Sequence, residues 1–394
     1  MKKRVLVFCD FFLPSVGGGG GMWAVANIVE RFSDRYDFFV VAGNRNERGK
    51  TEKVSGVVER AWNVVGSAQA YYLDPAELNG EIIRQRFDEV RPDLVFLNSV
   101  FSTSTIRYLQ ARKKGEFGAV HSVIAPCGEL LPGALAIKPW KKRLFLAYAR
   151  TMALYHGLIW RASFESESES IRKVFGLEPR IRIAADLTPR TILPKFRPAD
   201  KPVKHPGNVK LIFLSRIDRK KNLHFLLERL QGLSDGSVEL EIIGPVDDRR
   251  YWTECRSIIE KLPPNISVSM LGAMDNASAL ERLTKAHFFV LPTLSENFGY
   301  VCIEALSAGC PLIISDRTEW NWVEGAGAGW AIPLEDRSAW LDRISEVVAQ
   351  AQDDFARMSS AARSLAVEWL KEPKLEAATA ELFDFAIGSG RSAK

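Results

Sequence analysis

The strongest constraint on this chain is the stretch Leu291 to Arg317, LPTLSENFGYVCIEALSAGCPLIISDR. It is preceded by the largely apolar run His287 to Leu291. A short continuous run of this kind is typical of a strand buried on both faces in a parallel sheet. Pro292 ends the run, and Thr293 to Gly299 forms a polar loop that carries Glu296. Tyr300 to Ala308 then reads as a helix, with Val301, Ile303, Ala305 and Leu306 as its apolar positions and Glu304 as a second carboxylate. Gly309 is a helix stop, and Pro311 to Ser315 reads as the next buried strand. A strand–loop–helix–strand unit with glycine at the helix start offers unpaired N–H groups and a positive dipole end, which suit a phosphate. Glu296 in the loop and Glu304 one turn into the helix can both face the crevice at the carboxyl edge of a parallel sheet.

The same alternation runs through all 394 residues, a length that suits two domains. Arg4 to Cys9 reads as a strand, followed by the loop DFFLPSVGGGGG and a helix from Met22 to Phe32. Strand, glycine-rich loop and helix together make a phosphate-cradle layout. Further strands are expected at Tyr36–Ala42, Pro92–Leu97, His121–Ala125, Arg161–Phe164 and Ile181–Ala185, with a helix over Pro75–Val90. Five prolines between Pro189 and Pro206 mark residues 191–207 as a linker. Val209 to Ser215 opens a second domain, and its strand end delivers Arg216 and Lys221 just before a helix at Leu223–Leu230. A planar guanidinium and an ammonium five residues apart make an anion clamp suited to a diphosphate. Glu239 to Ile243 is another strand, ending at Gly244-Pro245. From Asp336 to about Ala386 the pattern is helical, with Pro373 as the expected break and Gly388 to Lys394 as a disordered tail. The fold class is therefore α/β, with two Rossmann-like domains over residues 1–190 and 208–372 and a last helix from residue 373.

Several motifs together resemble the retaining glycosyltransferases of family GT4, which have the GT-B fold. S-E-N-F-G-Y-x-x-x-E-A-L-x-x-G-x-P matches the E-x7-E signature of that family. Arg216 and Lys221 match its R-L-x-x-x-K-G element, and Pro14, Gly17 and Gly18 match its P-x-x-G-G loop. The resemblance implies a catalytic group of Glu296, Arg216 and Lys221. It implies donor contacts from Glu304 to the ribose and from Phe298, Gly299, Tyr300, Gly244, Gly17 and Gly18. It also implies a nucleotide-diphosphate sugar (UDP- or GDP-sugar) as donor, a glycan or lipid-linked glycan as acceptor, no metal or other cofactor, and a last helix that returns to the first domain. Cys127, Gly128 and Glu129 stand where one branch of the family has a P-H-G or P-R-G loop on the acceptor side. Cys127 departs from that pattern, and so does the absent second glycine after Gly244.

Composition limits the alternatives. With 53 basic and 48 acidic residues the net charge of +5 gives no reason to expect nucleic acid. The cysteines Cys9, Cys127, Cys255, Cys302 and Cys310 are scattered, which fits reduced thiols in a cytoplasmic protein. There is no D-x-D and no histidine pair at metal-ligand spacing. No signal peptide is evident, and no run of 18 apolar residues would span a membrane. The basic cluster Lys138, Lys141, Lys142 and Arg143 beside Trp140 and Phe145 suits either a solvated helix face or peripheral contact with an anionic membrane. Two further readings stay open from sequence: a sugar-nucleotide epimerase or hydrolase on the same plan, and a non-catalytic nucleotide-sugar-binding protein.

Overall fold

The computed structural model describes residues 1–15, 17–46, 51–118, 120–176, 179–190, 192 and 195–389. The chain divides into two units, Met1–Pro189 with Pro373–Lys394, and Arg190–Glu372.

The first unit holds eight strands: β1 (Lys3–Phe8), β2 (Tyr36–Gly43), β3 (Trp62–Val65), β4 (Ala68–Leu73), β5 (Leu94–Asn98), β6 (Ser122–Ala125), β7 (Ile159–Ala162) and β8 (Arg180–Ile183). They lie in the order β3-β4-β2-β1-β5-β6-β7-β8, parallel except for the β3–β4 pair. Successive side chains of a strand point to opposite faces. Accordingly Val5 and Val7 enter one apolar cluster with Phe38 and Val40, while Leu6 and Phe8 enter another with Val41 and Leu97. The first cluster is completed by Leu382, Phe383 and Ala386 of the helix Pro373–Ser389. Phe383 lies 5.5 Å from Tyr36 and 5.9 Å from Phe96, and Arg31 pairs with Glu376 at 2.7 Å.

The second unit holds β9 (Asn208–Leu214), β10 (Ser237–Ile243), β11 (Ile266–Gly272), β12 (Phe288–Leu291), β13 (Leu312–Ser315) and β14 (Gly329–Ile332). The sheet is fully parallel, in the order β11-β10-β9-β12-β13-β14. The strand order reverses between β9 and β12. The connections on either side of that point depart to opposite faces, which opens a crevice at the strands' carboxyl ends.

Several expectations need correction. The first long helix begins at Gly19, so three glycines of the supposed loop form its first turn. The helix read as Pro75–Val90 begins at Gly80, capped by Asn79, whose side chain accepts the Ile82 N–H. The hairpin of β3 and β4 was not read from sequence; its two-residue turn is Gly66-Ser67, with Gly66 at φ 58°. The segment read as a linker packs into the second unit at its described positions. Lys201 Nζ donates to the Leu283 and Ala286 carbonyls at 2.6 Å each, and Lys204 Nζ to those of Val348 and Gln350 at 3.0 Å each. Both lysines are buried, and carbonyl acceptors replace the water that each ammonium gives up. The helical region after Asp336 breaks twice, into Arg337–Ala349, Gln352–Lys371 and Pro373–Ser389. Most of the tail read as disordered lies outside the described residues.

Candidate active site

Two loops meet at the reversal point of the second sheet. The first leaves β9. Asp218 accepts the Lys221 N–H at 3.1 Å, closing a single turn over Arg219–Lys221, and Asn222 follows at φ 60° before the helix Leu223–Leu230. Asparagine tolerates this left-handed conformation, so the chain can turn there without glycine. The second loop leaves β12. Its Leu294 N–H and Thr293 hydroxyl both donate to the Lys220 carbonyl, at 2.8 and 3.1 Å. Ser315, at the end of β13, donates its hydroxyl to the Thr293 carbonyl at 2.6 Å, and Glu296 N–H donates to the Arg317 carbonyl at 3.0 Å. One backbone bond and the Thr293 hydroxyl thus join the two loops at the Lys220 carbonyl.

This frame brings the Lys221 ammonium into a salt bridge with the Glu296 carboxylate. Lys221 is buried and the Glu296 side chain is only 14% exposed. Burial by itself would raise the Glu296 pKa, but Lys221, Lys220 and Arg216 together outweigh it and hold the carboxyl below its ordinary range. Burial lowers the pKa of Lys220, and the neighbouring Lys221 and Arg216 act in the same direction. The Arg216 guanidinium pairs with Asp247 at 3.0 Å and lies 3.8 Å from Asp218. Glu296 therefore faces three cations, Lys221, Lys220 and Arg216, while Asp247 and Asp218 balance the more exposed Arg216.

Gly299, at φ 70°, caps the helix Tyr300–Ser307. A Cβ there would stand 3.0 Å from Glu296 Cγ, so the glycine admits the carboxylate's own side chain. Phe298 is buried; its carbonyl accepts the Trp320 indole N–H at 2.5 Å, and its ring lies 4.8 Å from that of Tyr300. Glu304 stands apart from the salt bridge. It accepts a hydrogen bond from Asn276 at 2.9 Å, and burial pushes its pKa up to about 7. Cys302 lies in the field of both Glu296 and Glu304, and burial with those two charges raises its thiol well above the usual range. Gly244 has a packing reason to be glycine. At φ 139°, a Cβ on it would stand 2.0 Å from the Ser215 carbonyl oxygen.

The remaining sequence-derived positions belong to the first unit, also at carboxyl ends of strands. Gly17 donates its N–H to the Asn46 carbonyl at 2.9 Å. A Cβ on Gly18 would meet Met22 Cβ at 2.5 Å and Phe11 Cβ at 2.7 Å, so this glycine lets the loop pack on its own helix. The Cys127 thiol donates to Asn98 Oδ1 at 3.1 Å, and Asn98 donates in turn to the Gly21 carbonyl at 3.0 Å. Burial, then Asp186 and Glu167, push the Cys127 pKa well up, which leaves it a poor nucleophile. The Gly128 N–H donates to Glu167 at 2.5 Å. Glu129 is engaged locally: its carboxylate accepts from the Ser99 hydroxyl at 2.8 Å and the Val100 N–H at 2.7 Å. Sequence reasoning passed over Asp218, Asn276 and Trp320. Only Asp218 carried a signal, an acid three residues before the N–H that it accepts.

Residues 197–365 match the family model described as glycosyl transferases group 1. The chain carries a group 1 glycosyltransferase domain. Among curated proteins, a phosphatidyl-myo-inositol mannosyltransferase of Mycobacterium leprae is 28% identical over 152 residues, covering 37% of this chain and 38% of that protein. The matched part thus spans less than two fifths of that relative's length. Among solved structures, a sucrose-phosphate synthase from Thermosynechococcus elongatus superposes with a TM-score of 0.77 at 15% identity, over 98% of this chain and 100% of that one. HepE of Anabaena, solved in complex with UDP and glucose, gives 0.67 at 15% identity, over 97% and 99%. The GT-B fold of the chain matches that of these neighbours.

Proposed function

We propose that the chain is a retaining, metal-independent glycosyltransferase. It moves a sugar from a UDP- or GDP-sugar to a glycan or lipid-linked glycan in bacterial polysaccharide or lipopolysaccharide assembly. The observation that carries this reading is the low-exposure Lys221–Glu296 pair at the reversal point, with Arg216 alongside. In this reading the bond between the sugar's anomeric carbon and the diphosphate oxygen breaks. The acceptor oxygen bonds that carbon on the same face, and its proton passes to the leaving phosphate. Arg216 and Lys221 offset the charge that grows on the diphosphate, the role for which a metal is otherwise used. Glu296, kept ionised by its cationic neighbours, stabilises positive character at the anomeric carbon instead of acting as an acid. The UDP bound by HepE supports a nucleotide-sugar donor.

The first test is a thermal-shift screen with UDP, GDP, ADP and their sugars, followed by product analysis. A concentration-dependent rise in melting temperature with one nucleotide, and transfer with retained configuration, is the expected result. No shift with any nucleotide, or an epimer formed from donor alone, would overturn the reading.

Glu304 gives a pH signature. Its folded pKa, about 7, lies above the ordinary value for glutamate. The stability it contributes is complete below the unfolded pKa and is lost as pH rises through about 7. Glu304→Gln should therefore leave the melting temperature unchanged at mildly acidic pH and raise it relative to wild type at alkaline pH. The ionised carboxylate is the stronger acceptor for the ribose hydroxyls, so donor affinity should strengthen with rising pH in the wild type and stay flat in Glu304→Gln. A wild-type affinity that does not change across neutral pH would count against a ribose contact.

A further inference from the structure

The helix Pro139–Thr151 in the first unit buries Leu146 and Ala149 against the protein. Its opposite face is also apolar. Trp140 is 62% exposed, Leu144 66% and Tyr148 45%, with Ile137 and Met152 exposed beyond the two ends. At 3.6 residues per turn, Trp140, Leu144 and Tyr148 stand about 40° apart, in one stripe along the outward side. On the same helical wheel Lys141 lies on one side of the stripe and Arg143 on the other. Lys141 also rests over the Trp140 ring, 5.3 Å from its centre. A helix apolar on both faces is normally covered on both.

Charge narrows what can cover this one. The 35 residues from Leu130 to Phe164 include no aspartate or glutamate, but they include Lys138, Lys141, Lys142 and Arg143. Among the described residues, Lys138, Lys141 and Arg143 make no ion pair with a carboxylate. A second copy of the chain, docked about a two-fold axis, would set these cations against their own counterparts. An anionic lipid surface complements both parts of the stripe. Its acyl boundary takes the tryptophan, leucine and tyrosine, and its phosphates take the flanking cations. Beside the stripe a cavity of about 300 Å³, lined by Pro132, Leu135, Pro139, Arg143 and Leu146, adds apolar depth under a cation. No helix among the described residues is long and apolar enough to cross a membrane.

We infer that the outward face of Pro139–Thr151 docks the protein on an anionic phospholipid surface, lying in the interface without spanning it. This goes beyond the transferase reading, and because no donor is needed to measure it, either can fail without the other. The test is co-sedimentation of the full chain with vesicles of phosphatidylcholine, with and without phosphatidylglycerol. Binding is expected only with phosphatidylglycerol, and it should weaken as salt rises. Trp140→Ser, Leu144→Ser and Tyr148→Ser combined should abolish it while leaving the melting temperature intact, since these side chains face outward. Lys141→Glu with Arg143→Glu should lower affinity by about twentyfold or more. Lys261→Glu, an exposed cation of the other unit, serves as the control and should bind as wild type. Equal binding to both kinds of vesicle, or undiminished binding by the triple variant, would overturn the inference. So would a concentration-dependent dimer that the triple variant abolishes in the absence of any vesicle binding.

Discussion

Lys221→Met is expected to cost turnover and fold stability together. Removing the ammonium leaves the Glu296 carboxylate in a site of low exposure without its main partner. Breaking one side of such a pair costs about 3–5 kcal/mol, because the remaining charge is desolvated and uncompensated. With Lys221 gone, burial should dominate and move the Glu296 pKa upward. The sign follows from linkage. In the wild type a depressed carboxyl adds stability above its unfolded pKa, and that stability is lost as pH falls through the folded value. The variant should therefore be weakest near neutral pH and approach the wild type in acid. Turnover should fall by about a hundredfold to a thousandfold, as when one preorganised cationic or hydrogen-bond donor is lost from a transition state. Adding Glu296→Gln to Lys221→Met should restore most of the stability and none of the activity. Denaturant unfolding across pH and initial rates with the donor found by thermal shift would measure both. A Lys221→Met enzyme with wild-type turnover would refute the catalytic assignment, however its stability behaved.

The second large effect is expected at Gly244. A Cβ there would stand 2.0 Å from the Ser215 carbonyl oxygen and 2.6 Å from its carbon, both backbone atoms, and the φ of 139° is strained for any side chain. Gly244→Ala must push the ends of β9 and β10 apart, breaking the bond from Ser215 N–H to Ile243. Overpacking and backbone strain together should cost about 3 kcal/mol or more. Arg216 directly follows Ser215, so any protein that still folds should also bind donor less well. Urea unfolding distinguishes this role from a simple ligand contact, which would weaken binding and leave the unfolding midpoint unchanged.

How much of this was legible in sequence depended on whether the cause was local. Strand β12, its loop and the following helix were legible because every signal lies within 27 residues: the apolar run, Pro292, the acids and Gly309. Arg216 and Lys221 were legible as an anion clamp for the same reason. That Lys221 neutralises Glu296 was not, since it depends on β9 and β12 being neighbours across 75 positions of sequence. The β3–β4 hairpin was missed because Val64 points outward on an edge strand and breaks the alternation expected of a half-buried strand. The proline-rich stretch read as a linker because composition does not show that Lys201 and Lys204 find buried carbonyls. Glu129 looked available on the acceptor side, yet it is held by the turn after β5, a contact 28 to 30 residues away. Trp320 gave no signal, because its N–H acceptor is a backbone carbonyl 22 residues back.

The placement of Pro373–Ser389 in the first unit bears on the order in which the protein can mature. Translation completes Arg190–Glu372 before Leu382, Phe383 and Ala386 exist. The second unit can therefore close while the first still has an open apolar groove along Phe32, Tyr36 and Phe96. The usual amino-to-carboxyl sequence of domain completion is reversed. During synthesis the first unit is the one exposed to chaperones and to aggregation, and its last 17 helical residues seal it from behind.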